Sequence, residues 1–185
     1  MTYKLSHLNG GEWVEHSFRP VFSLVPAHNG GGGRVVTGAP GGDPLIFQRL
    51  MLLREPPYNL LYVLHTPRGE ASAGRYQSPE LTSAQFEKFM ERFERYLRAD
   101  GRFDLWGYSA GDESFIVWDR HNRVFVYGRS DESVAALRGM GFESGEIRIP
   151  TPHSHHYRPE FDADAGALLA AFDWTQTPLR PEDEQ

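Results

Sequence analysis

The chain has 185 residues, of which 39% are apolar, 24% charged and 13% aromatic, a length and composition that fit one soluble domain with large rings in its core. Its 19 basic and 25 acidic residues give a net charge of −6, which opposes binding to a phosphate backbone, so nucleic acid is not an expected partner. The absence of cysteine excludes disulfides, a thiol nucleophile, Cys-ligated zinc and iron–sulfur clusters. The opening MTYKLSHLNGGEW holds no apolar stretch of signal-peptide length and no run approaches a membrane span, so a cytoplasmic protein with no membrane partner is expected.

Taken in order, Glu12 to Val25 alternates apolar residues around Pro20 and reads as an edge strand bent at the proline, or as two short strands. Residues 27–43 are glycine-rich, with the run Gly30 to Gly33, and read as a long flexible loop. They lack the GxxxxGK[ST] spacing of a phosphate loop. Asp43-Pro44 opens a helix, since an N-cap oxygen is followed by a residue whose missing N–H costs nothing in the first turn. Pro56-Pro57 ends it, and the continuous apolar centre of Tyr58 to His65 predicts a strand buried on both faces.

Thr66 to Leu81 reads as a second long loop without an element of its own. Thr82 with Gln85 forms a capping box for a helix to about Ala99, whose stripe Phe86, Phe89, Met90, Phe93, Tyr96 and Leu97 faces the core. The strongest signal is Phe103 to Gly128, where three segments rich in aromatic and β-branched residues predict a β-meander. In its second turn Asp119 supplies an acceptor and Asn122 a left-handed residue. Ser130 or Asp131 caps a short helix stopping at Gly139 or Gly141, Glu146 to Ile149 reads as an edge strand, and a last helix starts at Asp162 or Asp164. A polar, proline-broken tail follows at 175–185. The sum is a single α+β domain over 1–185. Its mixed, mainly antiparallel sheet has about five or six strands around a central meander, with three to four helices mostly on one face.

Three groups of residues are candidates for chemistry. Arg68 and Arg75 lie in the loop that delivers the chain to the Thr82 helix start, where free N–H groups and the helix dipole favour an anion. That loop would lie at a strand's carboxyl end if the Tyr58 and Phe103 strands were parallel neighbours. The alternative is that both arginines make surface ion pairs. His153 and His155 point the same way in extended backbone and could share a metal, with Glu160 or His121 as third ligand, so a divalent metal is a candidate cofactor and the cofactor is otherwise unknown. The alternative is a linker whose rings pack on the surface. His121 beside Asp119, and His65, are candidates for acid–base catalysis, against plain turn stabilisation and exposure at a loop tip. The HxH spacing has a superficial similarity to the first cupin motif, but misplaced glycines, a following helix and too little remaining chain argue against that barrel.

The strings LLYVLHTPRGE, VWDRHNRVFVYG, TPHSHHY and FDWTQTPLRPEDEQ together resemble a group of bacterial proteins with no established activity, over residues 44–185. That resemblance implies a bacterial cytosolic protein and no site residue. The architecture has a generic likeness to small α+β immunity and adaptor domains. With no catalytic signature to place it, the leading expectation is a non-catalytic binding or adaptor module, regulatory or immunity-like, acting on a protein partner. The alternatives are an enzyme or binder of a small anionic ligand using the 66–82 loop, and a metal-dependent enzyme using the 153–156 histidines. Whether the chain is an enzyme, and its oligomeric state, stay open at this point.

Overall fold

The computed structural model describes residues 3–26 and 33–183. The first strands, β1 (Leu5–Asn9) and β2 (Glu12–Glu15), form an antiparallel pair. After Pro20 the chain enters β3 (Val21–Val25) and then β4 (Arg34–Gly38), which pair antiparallel in a different, larger sheet. The segment read as one loop over 27–43 therefore contains a strand. Val35, Val36 and Thr37 suit a pleated surface, and the glycines around them masked that short signal. The glycine run itself lies largely outside the described residues.

Helix α1 (Pro44–Met51) starts as expected, with the Asp43 carboxylate accepting from Leu45 N–H. β5 (Tyr58–Leu64) follows, and β6 (Gly74–Gln77) occupies the middle of the second expected loop. α2 (Ser83–Arg92) carries the full capping box, and a break at Phe93 separates it from α3 (Glu94–Ala99). The meander is present as β7 (Phe103–Ser109), β8 (Ser114–Trp118) and β9 (Arg123–Tyr127), with Asn122 at φ +62° in the left-handed region.

Helix α4 (Ser130–Gly139) has Arg129 as its N-cap, without a side-chain cap. The edge strand expected at Glu146 to Ile149 lies earlier, as β10 (Glu143–Ser144). The histidine linker forms β11 (His153–His155), and α5 (Asp162–Leu169) ends before Trp174. The tail adds β12 (Thr175–Thr177), paired with β6, and places Asp183 in a buried position.

Among the described residues twelve strands thus make two sheets, a nine-stranded one in the order β10-β3-β4-β9-β8-β7-β5-β6-β12 and a three-stranded one in the order β11-β1-β2. The large sheet is mixed, because β10 alone runs parallel to its neighbour. It exceeds the expected five or six strands because the additional strands β4, β6 and β12 are short and sit in segments read as loops or tail. β5 and β7 are neighbours but antiparallel, which removes the parallel crossover on which the loop's placement at a strand's carboxyl end depended.

One face of the large sheet is buried beneath the helices. Tyr62, Leu64, Phe103, Leu105, Ile116, Trp118, Val124 and Val126 meet Phe47, Leu50, Phe86, Phe89, Tyr96 and Leu97 in one continuous core. Each such large side chain stabilises the fold by about 1.5–3 kcal/mol through burial. α1 approaches closely because position 107 is glycine: a Cβ there would lie 2.5 Å from the Met51 sulfur. None of the described helices is long and apolar enough to cross a membrane.

Candidate metal centre

The small sheet and the meander meet at a seam of histidines. β11 pairs with β1 in the register Leu5 to His155 and His7 to His153, so His153 and His155, two residues apart, project from one face. Backbone bonds from His156 N–H to Lys4 O and from Gly101 N–H to His156 O, both 2.8 Å, continue this contact into the body of the protein. Gly101 is needed at that crossing, because a Cβ there would stand 3.0 Å from the Lys4 carbonyl and 3.3 Å from the His155 ring.

His121 arrives from the opposite side, at the turn between β8 and β9. Asp119 shapes that turn. One carboxylate oxygen accepts from the N–H of His121 (3.0 Å) and of Arg123 (2.8 Å), and the other accepts from Arg123 Nε at 2.9 Å and lies 3.2 Å from His121 Nδ1. Burial alone would raise the Asp119 carboxyl, but the hydrogen bond from His121 and the Arg123 charge outweigh it and keep the group an anion.

The three rings pack edge to face, with centroids 4.7 Å apart for His121 and His155, 5.2 Å for His121 and His153, and 5.5 Å for His153 and His155. One ring nitrogen from each lies within 4.8 Å of the other two. Nδ1 of His121 faces Asp119, and Nδ1 of His153 lies 3.1 Å from the Pro150 carbonyl, which leaves Nε2 of each as the free atom. Nε2 of His155 is buried and has no hydrogen-bond partner among the described residues. Burial, reinforced by His121, Arg120 and His153, pushes the His155 imidazole down to about 3, so it is neutral near pH 7.

Three imidazoles, two of them with Nδ1 oriented by a neighbouring oxygen, are the donor set of a borderline transition-metal ion rather than of calcium or magnesium. A tetrahedral ion with bonds of about 2.0–2.1 Å needs nitrogens roughly 3.4 Å apart, so the rings would close by small rotations. Of the third ligands weighed from the sequence, His121 belongs to this group; Glu160 is exposed in the 3-10 turn Pro159–Phe161 and does not. The register of β1 against β11, which no local pattern encodes, also places His7 opposite His153. His7 forms an edge-to-face pair with His16 at 5.3 Å, so the seam holds five histidines.

The other candidates are engaged elsewhere. Arg68 donates from its backbone to Glu70 and from Nε to Asp162 at 3.0 Å, while Arg75 pairs with Asp183 at 2.5 Å. The Thr82 side chain and N–H are both used in the capping box with Gln85. His65 is nearly buried, with Nε2 3.0 Å from Asp104 but off the line of a hydrogen bond, and it stands apart from the three-histidine group.

No protein-family model matches the chain, and no curated protein or solved structure is significantly similar to it.

Proposed function

We propose that the chain binds one divalent transition-metal ion through His121, His153 and His155 and acts as a metal-dependent enzyme. The observation that carries this reading is the buried, unpartnered Nε2 of His155 within 4.8 Å of ring nitrogens from the other two histidines. An unsatisfied buried nitrogen costs the fold about 1–3 kcal/mol, a cost that a ligand to that atom would remove. An ion held by three neutral side chains keeps its full charge and an open position, where it supplies Lewis acidity or an activated water. Asp119 would fix the tautomer of His121 and raise its basicity as a donor, and the Pro150 carbonyl would do the same for His153.

Calorimetry with Zn(II), and absorption of a Co(II)-substituted sample, test the site directly. One equivalent should bind per chain, and the His153→Ala, His155→Ala double variant should lose it. Asp119→Asn should weaken binding by about ten- to a hundredfold. Azide should perturb the Co(II) spectrum if a coordination position is open. Retention of metal by the double variant would remove the site, and a spectrum indifferent to azide would make it structural.

A second reading, docking of a protein partner, is favoured by one observation. Leu8 and Trp13 face each other across β1 and β2 and are 39% and 55% exposed. That reading expects concentration-dependent association in sedimentation, abolished by Trp13→Glu; a monomer at all concentrations, identical in both proteins, would count against self-association through this pair.

A further inference from the structure

The face of the large sheet opposite the helices is built from the alternate residues of the same strands. The register sets Tyr108, Phe115, Tyr127 and Arg34 side by side in one row, and Leu61, Trp106, Val117 and Phe125 in the next. The rings form a ladder. Trp106 and Phe115 are nearly parallel with centroids 6.4 Å apart, and Phe115 stacks on Tyr127 at 4.3 Å. A groove of about 400 Å³ runs along this ladder, and a second of about 320 Å³ adjoins it through Trp106 and Phe115. Both volumes lie in the range of small-molecule sites.

Most of the acidic groups in the larger groove are engaged within the protein. Asp119 is paired with Arg123 at 2.7 Å, Asp183 with Arg75 at 2.5 Å, and one Asp104 oxygen accepts from Arg120 N–H at 2.7 Å. Arg34 is different. Its guanidinium lies over the rings of Phe125 and Tyr127, 5.3 and 5.8 Å from their centroids, and donates to the Tyr127 hydroxyl at 3.0 Å. Its Nε is buried with no partner, and among the described residues no carboxylate pairs with it. Among the described residues, Asp104 and the exposed Glu182 are the lining carboxylates without an arginine or lysine ion pair, and they would oppose a second negative charge on a ligand.

We propose that this groove binds a small aromatic carboxylate, with its flat ring against the Trp106–Phe115–Phe125 surface and its single anionic group on Arg34. The ring gains π-contact and burial, and the carboxylate adds hydrogen bonds to a guanidinium already held over two aromatic rings. None of the three histidines lines the groove, which reaches them through the Arg123–Asp119–His121 chain of contacts and through Asp104, which accepts from Arg120 N–H.

The test is calorimetric titration of chelator-treated protein with indole-3-acetate, neutral indole, cationic tryptamine and phenyl phosphate. Indole-3-acetate should bind about tenfold or more tighter than indole, with tryptamine weakest. Arg34→Gln, checked for an unchanged urea midpoint, should erase the preference for the acid while leaving indole binding intact. Trp106→Leu should weaken both, which provides an independent arm if the arginine variant folds poorly. Equal affinity for indole and its acid, an unchanged preference in Arg34→Gln, or no binding of any probe would overturn the proposal. Tighter binding of phenyl phosphate would overturn the assignment to a monocarboxylate.

Discussion

Two buried polar clusters in this protein solve the problem of burial in opposite ways. Around Arg102, which is fully buried, every guanidinium nitrogen finds an acceptor: Nε bonds Asp100 at 2.8 Å and Nη1 bonds Glu70 at 3.0 Å. Nη2 reaches Asp100, Asp162 and the Arg158 carbonyl at 2.9 to 3.1 Å. Burial alone would lower the Arg102 pKa; its hydrogen bonds to Asp100 and Glu70 reverse the sign and raise it. The histidine seam has no such closure. His7 Nδ1, His16 Nε2 and His155 Nε2 are all buried without partners, and burial depresses both His16 and His155. A polar cluster that satisfies itself holds a fold together, whereas one that leaves buried nitrogens without partners costs the fold stability, and under the proposed metal site an ion would remove that cost at His155.

The largest effect that separates the two comes from Arg102→Met. It leaves Asp100 and Glu70, whose side chains are 0% and 2% exposed, as buried carboxylates without their counter-ion, so unfolding by urea should show a loss of about 3–5 kcal/mol. A loss within about 1 kcal/mol would mean that the network contributes little and that the contrast with the seam is false.

The difference between the clusters also explains what could be read in advance. The meander, the capping box at Thr82 and the Asp43 cap were legible because their causes are local: side-chain alternation, a hydroxyl three residues before a glutamine, an aspartate before a proline. The shared direction of His153 and His155 was legible for the same reason, since it follows from extended backbone alone. Local pattern cannot supply the pairing of β1 with β11, which places His7 beside His153, nor the return of the tail that brings Asp183 to Arg75 across 108 positions. Arg34 was hidden twice over, by the glycines before it and by a strand too short to show a period. Its hydrogen-bond acceptor is Tyr127, a cross-strand neighbour 93 positions away.

A smaller and graded effect belongs to Lys4, which lies beneath the seam with its ammonium 4.0 Å from the centroid of Trp118 and 4.5 Å from that of Phe103. Burial lowers its pKa from 10.5 to about 7, against the pull of Asp104, Asp119 and Asp100. Below pH 7 the lysine is charged in both states and the fold bears the full cost of burying that charge. Between about 7 and 10.5 the folded chain has released the proton and the unfolded chain has not, so stability rises with pH by up to about 1.4 kcal/mol per unit. Lys4→Met should flatten that rise in urea titrations from pH 7 to 10, and an identical slope in the variant would show that the lysine is not its source.

The smallest expected change in stability is at the seam itself, and there the smallness is informative. His155→Phe keeps a flat ring of similar shape in the contact with His121 and His153 while removing a buried nitrogen that bonds to nothing. In metal-free buffer the variant should be as stable as the parent or slightly more so, within about 1 kcal/mol, because no hydrogen bond is lost and a desolvated polar atom is gone. Added Zn(II) should then raise the parent's melting temperature and leave that of the variant unchanged, since an ion bound only by the native state stabilises by mass action. If the substitution instead destabilised the metal-free protein as strongly as Arg102→Met, the histidine would be a structural member of its cluster in the way the arginine is of its own, and the distinction between the two regions would fail.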